Sequence, residues 1–497
     1  MIEKASWIAI YPEIVLLAMT CAIVLVDLLD RSARRLASYG LCAATLLVLL
    51  ALTALAAVDG QTLYGFGGQV VSDPLANWLK CFATLATLLV LVYGRAYVQK
   101  RGMLLRGGEW FTLNLLSLLG VFVMISGNNF LILYLGLELV TLASYALVAL
   151  RRDHAVSLEA AMKYFVLGAM ASGFLLYGMS MLYGASGTLN ISEVLQAIAS
   201  GKIQHQILVF GLVFIVAGLA FKFGVVPFHM WIPDVYQGAP TAVTLMIGSA
   251  PKLAAFAMAM RLLAEGLLPL AMDWQQMLAV LAIASLFIGN LAAIAQTNIK
   301  RMLAYSTIAQ MGFVLLGLVA GVVGGNTLLA ANAYSSAMFY VVTYVLTTLV
   351  SFGIVMLLSC EGFESEEIAD FSGLNQRHPF YALLMALCMF SLAGLPPLVG
   401  FQAKLSVLQA LISTGQAALI GLSVFAVVMS LIGAFYYIRV VKVMYFDAPQ
   451  SGGIAIEAPW DMRALLSVNG LMLLALGIVP GALMTLCASA VVRMLLS

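Results

Sequence analysis

Apolar stretches of about twenty residues, each long enough to cross a bilayer as a helix, follow one another through this chain almost without pause. They fall near 8–29, 36–57, 73–94, 110–126, 129–150, 158–183, 206–227, 240–263, 274–295, 301–322, 330–358, 379–412, 417–440 and 464–490. The stretches at 330–358 and 379–412 exceed one crossing, which predicts tilt or a break. With 63% hydrophobic and only 9% charged residues in 497, most of the surface must face lipid or other membrane helices. The fold class is therefore an all-α integral membrane protein of about fourteen transmembrane helices.

Several function classes drop out at once. A net charge of +2 gives no electrostatic footprint for nucleic acid. The six cysteines (Cys21, Cys42, Cys81, Cys360, Cys388, Cys487) are scattered without a CxxC pair, so they read as small buried apolar residues. No phosphate loop, dinucleotide fingerprint or nucleophile constellation appears, and GFGG at Gly65–Gly68 reads as a loop. The N-terminus lacks a basic region and a small-residue cleavage site, so it reads as a retained first span.

Lys and Arg mark the inner loops of membrane proteins. With the N-terminus outside, fifteen basic residues fall on the inner side, Arg31, Arg34 and Arg106 among them, against Lys4, Lys202, Arg261 and Arg493 outside. This predicts both termini on the outer face. The longest polar stretch, Glu361–His378, reads as a solvated inner loop.

The other five basic residues, Lys80, Lys163, Lys222, Lys252 and Lys404, lie inside spans. A charge at bilayer depth costs about 2.5–3.5 kcal/mol even on the lenient insertion scale, so it faces protein or water and usually has a role. Glu138, Lys252 and Lys404 are central in their helices. Lys80 and Lys163 sit near helix ends, where they can snorkel, and Lys163 also follows Glu159 by four residues. His229, in PFHMW, is a candidate proton relay. Asp234 reads as a turn or helix-start residue, and no role falls to His154, His205 or His378.

Prolines accompany the lysines. Pro227 leaves the carbonyl of Phe223 without its helical donor, Pro251 does so to Ile247, and Pro396 and Pro397 release Leu392 and Ala393. In a bilayer those oxygens must be met by side chains, water or neighbouring helices. The two broken segments, around Lys222 and Lys404, sit in the seventh and twelfth spans, five apart. A tandem unit of five helices enters the membrane from opposite sides in its two copies, the pattern of an inverted-repeat transporter.

Several motifs carry a resemblance: LGLELVTLASYALVAL, LAFKFGVVPFHMWIPDVYQGAPTAVT, APKLAAF, IKRMLAYSTIAQMGFVLLG and SLAGLPPLVGFQAKL. Nearly the whole chain resembles the antiporter-like membrane subunits of bacterial respiratory complex I. The resemblance implies fourteen helices, inverted repeats of spans four to eight and nine to thirteen, and one proton channel. Its division is 1–109 (three helices), 110–263 and 264–445 (the repeats), and 446–497 (loop and last helix). By position, Glu138, Lys222, Lys252 and Lys404 match the proton-transfer residues, and Lys163 and His229 match further positions in the proton path. The twelfth-helix position is glutamate in subunit M and lysine here, and the long lateral helix of subunit L is missing.

The implied function is proton pumping driven by NADH–quinone electron transfer in the bacterial inner membrane. Flavin mononucleotide, iron–sulfur clusters and the quinone site would belong to other subunits, with no cofactor or metal in this chain. The implied partners are the complex's other membrane subunits (A, H, J, K, L and M), the lipid and, indirectly, the NADH-oxidising arm. A subunit of a multi-subunit cation/proton antiporter without redox partners is the alternative. A passive scaffold would leave the row of central charges unexplained.

Overall fold

The computed structural model describes residues 4–30, 32, 35–105, 107–323, 326–359, 363–449 and 459–496. Arg31, Arg34, Arg106 and Cys360 lie outside them.

The expected spans are all present. The first six are Tyr11–Leu29, Leu36–Asp59, Pro74–Lys100, Glu109–Ser126, Phe130–Val148 and Ala155–Ser186. The seventh is broken into His205–Phe223 and Trp231–Gly238, and the eighth runs from Thr241 to Gly266 with an interruption at Gly248–Ser249. Then come Ala271–Ile294, Ile299–Ala320 and Thr327–Leu358. The twelfth is broken into Pro379–Ala393 and Val399–Ser413, followed by Ala417–Phe446 and Trp460–Ile478. The fourteenth departs from a single helix over 464–490. Pro480, which has no N–H to donate, separates Trp460–Ile478 from Gly481–Leu496.

Among the described residues, one small sheet interrupts the all-helical pattern. Residues 66–69, which include the last three residues of GFGG, turn between two three-residue strands, Leu63–Gly65 and Val70–Ser72, paired antiparallel. Both ends of the chain meet this region. Ser6 Oγ accepts from the Phe66 amide at 3.0 Å, and Arg493 donates to the Gly60 carbonyl at 3.0 Å. The termini therefore lie at the same end of the bundle, as an even number of crossings requires.

Close pairs repeat five spans apart, fourth with fifth and ninth with tenth. Glycines set both approaches. A Cβ on Gly120 would lie 2.6 Å from the Val140 amide nitrogen, and one on Gly289 would lie 2.8 Å from that of Ala309. Without a hydrophobic drive between helices in lipid, such close backbone contact is a main source of attraction. The eighth, tenth and eleventh spans are 94%, 94% and 89% buried and form the centre. The first, second, thirteenth and fourteenth are only 28–33% buried and form the rim. Cys21, on the rim, is exposed, against the expectation of burial; Cys42, Cys81, Cys388 and Cys487 are buried.

The two breaks share one construction. In each, a glycine in the left-handed region ends the first half-helix: Gly224 at φ 75° and Gly394 at φ 87°. The next residue's amide reaches back five positions, Val225 to Ala220 and Leu395 to Phe390, both at 3.0 Å. This ends a helix while satisfying some of its last carbonyls. The prolines then keep the strand of backbone from rejoining it.

Candidate functional site

The carbonyls freed by proline are where the buried lysines point. Lys252 Nζ donates to the carbonyls of Phe223 (2.8 Å) and Lys222 (3.3 Å), the last turn before the seventh-span break. Lys404 Nζ donates to Leu392 (2.9 Å) and Ala393 (3.0 Å), the last two residues before the twelfth-span break, and to Ser430 Oγ (2.7 Å). Lys252 is 1% exposed and Lys404 8%. The sequence named these oxygens and these lysines separately; the fold joins them.

Bond counts differ along the row. An ammonium has three donors and a neutral amine two, with a lone pair left to accept. Lys404 uses three, Lys252 two, and Lys222 one, to Thr141 Oγ1 at 2.7 Å. Lys222 and Glu138 are each partly buried and form no ion pair within 4 Å, while Glu138 Oε1 has no hydrogen-bond partner. Thr141, one turn beyond Glu138 on the fifth span, is the group of that span that holds the Lys222 head. A small cavity of about 30 Å³ lies among Thr141, Tyr164, Lys222, Trp231 and Lys252. A second, of about 20 Å³, lies among Gln310, Tyr340, Tyr344, Ser391 and Lys404. Each has room for one water, which needs at least about 10–15 Å³.

On the tenth, eleventh and thirteenth spans runs a set of neutral polar side chains that sequence reasoning missed. Tyr344 donates to Thr307 Oγ1 (2.7 Å), Tyr340 to Gln310 Oε1, and Gln310 Nε2 to Tyr437 Oη (3.0 Å) and the Leu392 carbonyl (3.0 Å). Tyr437 also bonds Ser306. The signal was present in the eleventh span, where Ser336, Tyr340, Tyr344, Thr347 and Ser351 recur at helical spacing and share one face. That span packs against both the eighth and the twelfth, and the polar set meets Lys404 at the Leu392 carbonyl, which accepts from both Gln310 and Lys404.

The remaining candidates divide. Lys163, its side chain 45% exposed, holds Glu159 and Asp234, both at 2.9 Å. Asp234, in the first turn of Trp231–Gly238 as expected, also takes Arg301 at 2.8 Å and so ties the two halves. His229 lies in the seventh-span break and makes no ion pair among the described residues. Lys80 does not snorkel. It is fully buried, 2.6 Å from Glu13, because the first, third and fourth spans enclose it. Arg261, placed outside from the sequence, is 2% exposed within the eighth span, paired with Asp73 and Glu265. The described part of the stretch expected to be a solvated inner loop is docked: Glu364 meets Arg101 (3.1 Å) and Tyr97 (2.8 Å), and Glu366 meets Lys300 (3.0 Å).

Residues 127–430 match the family described as NADH:quinone oxidoreductase/Mrp antiporter, TM. The chain is 68% identical to NADH-quinone oxidoreductase subunit N of Polaromonas naphthalenivorans, over 99% of this chain and 98% of that one. Respiratory complex I of Thermus thermophilus contains a similar chain at 30% identity and TM-score 0.79, covering 96% of this chain and all of that one. A chain of the Mrp complex from Dietzia shares the fold alone, at 22% identity and TM-score 0.83, over 98% and 97% of the two chains. With the broken seventh and twelfth spans and the lysine at position 404 already in place, the conclusion follows: this chain belongs to the NADH-quinone oxidoreductase subunit N family, among the antiporter-like membrane subunits of complex I.

Proposed function

We propose that this chain is the proton-translocating subunit N of a bacterial NADH:quinone oxidoreductase, a multi-pass inner-membrane protein with both termini on the periplasmic side. The supporting observation is that Lys252 and Lys404 hold the carbonyls freed at the two helix breaks, with a polar row that meets Lys404 at Leu392. Each lysine then has two stable forms. As an ammonium it caps the broken helix with up to three bonds; as an amine it keeps two and can accept a proton from a neighbour or a water.

Lys222 is the entry to the row, and Glu138 sets its charge state. When the carboxylate approaches, the ammonium is favoured; when it withdraws, desolvation favours the amine and the proton moves on to Lys252. Lys163 and His229 feed that entry. The tyrosine and glutamine groups of the tenth, eleventh and thirteenth spans carry the charge towards Lys404. Flavin, iron–sulfur clusters and the quinone site are placed on other subunits, and the partners are the other membrane subunits and, through them, the NADH-oxidising arm. The segments 1–109, 110–263, 264–445 and 446–497 are the working units. A redox-free antiporter subunit is the weaker reading, because identity is 68% to a subunit N and 22% to the Mrp chain.

The test uses Lys222→Arg and Lys222→Ala in the assembled complex. Arginine keeps the charge and the Thr141 bond but does not release its proton at working pH. Both variants should lose pumping and the quinone reduction coupled to it, normalised to assembled complex. Wild-type pumping by Lys222→Arg would reduce Lys222 to an anchor.

A further inference from the structure

A second set of buried charges lies away from the lysine row, at the end of the bundle that holds both termini. On the third span Asp73, Asn77, Lys80, Thr84 and Thr87 recur at steps of four and three, so they share one helix face. None is more than 2% exposed, and the span packs against the eighth. A buried polar stripe of this length on a membrane helix faces protein and marks a charge-bearing path by default.

Two ionic clusters sit on the stripe. At its end, Arg261 Nη2 meets Asp73 (2.7 Å) and Nη1 meets Glu265 (2.6 Å), while Nε has no partner. One guanidinium thus serves two carboxylates. Asp73, fully buried, also accepts the Ala76 amide at 2.7 Å. Glu265, its side chain 22% exposed, lines a cavity of about 430 Å³ with Asn128 and Ser192. Residues Met260–Gly266 are wound as a π-helix, a form that gathers at functional positions. Two turns further in, Lys80 lies 2.6 Å from Glu13 Oε1, which also accepts from Ser126 at 2.8 Å, and Glu13 Oε2 is unpaired.

Two carboxylates on one cation do not both stay ionised cheaply at low dielectric. Asp73 is engaged by the guanidinium and a backbone N–H and is closed off from water. The exchangeable proton therefore belongs to Glu265, the one that faces the cavity. Of the other charges at this end, Glu193 bonds Thr188 and Asn190, Asp273 lies 3.4 Å from His205, and Arg493 donates to the Gly60 carbonyl, while Lys4, Asp59 and Lys202 complete the set among the described residues.

We propose that Glu265 is an outer-face proton-exchange group, supplied along the third span from the Glu13–Lys80 pair and releasing into the cavity. This rests on reading the chain as a proton-translocating subunit with its termini outside. Seven residues of helix separate Asp73 from Lys80 by about 10 Å, with Asn77 buried on the same face between them. The Lys80 ammonium loses a proton as the Glu265 carboxylate gains it; the carboxyl then gives it to water in the cavity. The Lys80 amine then takes its next proton from those delivered by the translocating lysine row, and no electron moves.

Two measurements test this in membranes holding the whole complex. Dicyclohexylcarbodiimide reacts with protonated carboxyls, so mass spectrometry should find Glu265 modified in slightly acidic medium, less so as pH rises, with Asp73 unmodified. Glu265→Gln should lower pumping per NADH oxidised by half or more and flatten its response to outer pH, while Glu265→Asp retains both. Unmodified Glu265 at every pH, or Glu265→Gln pumping with the wild-type pH response, overturns the proposal. If Glu265→Gln fails to assemble, labelling of the wild type alone decides. Lys222→Ala run in parallel separates the two readings. If it pumps normally, the proton-translocating role itself fails; if only Lys222→Ala loses pumping, the exit is wrong and the role stands.

Discussion

Lys252 donates to the carbonyl of Phe223 at 2.8 Å, and that oxygen is the one Pro227 strips of its helical donor. The lysine therefore has a structural task and, on the proposed mechanism, a proton-carrying one. Arginine should separate them. Lys252→Met leaves buried carbonyls unmet, at about 1–3 kcal/mol each, and should lower both the thermal stability of the complex and pumping. Lys252→Arg keeps donors and should restore stability but not pumping. Arginine restoring both would leave only the structural task.

Ser430 accepts from Lys404 at 2.7 Å and donates to Ala393 at 3.3 Å. Its hydroxyl can turn to donate to the amine once the lysine has lost its proton. Ser430→Ala removes both options and should slow coupled turnover several-fold, in line with one hydrogen bond of about 1 kcal/mol. Ser430→Thr should preserve the rate. Equal rates in all three proteins, measured as NADH-dependent quinone reduction, would leave the hydroxyl without a role.

Asp234 joins Lys163 and Arg301, but all three are partly open, with side-chain exposures of 32%, 45% and 31%. Such pairs contribute about 0.2–1 kcal/mol each. Asp234→Asn should therefore leave the complex assembled and its melting temperature within a few degrees. A collapse of assembly would show that the junction between the halves depends on this one carboxylate.

The Glu13–Lys80 pair predicts the opposite pattern, because it is buried. Breaking one partner strands a charge at a cost of about 3–5 kcal/mol, whereas neutralising both relieves it. Glu13→Gln and Lys80→Met should each cut the amount of assembled complex, and the double variant should recover it. Additive losses in that cycle would mean the two side chains do not interact. The double variant is also expected to pump poorly, since it has lost the inner station of the proposed exit.

Topology is open to direct labelling. Lys4→Cys should react with a membrane-impermeant thiol reagent from outside intact spheroplasts, and Arg377→Cys should not. The reverse result would turn the molecule over and place the Glu265 cavity on the inner side.

The spans, the two breaks and the central charges were legible in the sequence because each rests on a local rule. Twenty apolar residues in a row, a proline without an N–H, or a lysine in oil means the same wherever the fold puts it. Glu138, Lys222, Lys252 and Lys404 could be named for that reason, as could the freed carbonyls of Phe223, Leu392 and Ala393. What no local rule supplies is the partner. That Lys252 reaches across to the seventh span, and Lys404 back to its own broken half, was decided by helix packing. The same packing enclosed Lys80, which by position alone was free to snorkel, and drew Arg261 in from the surface between Asp73 and Glu265. Neutral tyrosines such as Tyr340 and Tyr344 carry no cost that flags them in an apolar run; only their alignment beside Gln310 and Thr307 makes them a row. Charge and chain breaks are properties of residues, and the sequence holds them. A proton path is a property of distances between helices far apart in sequence, and those exist only once the bundle has closed.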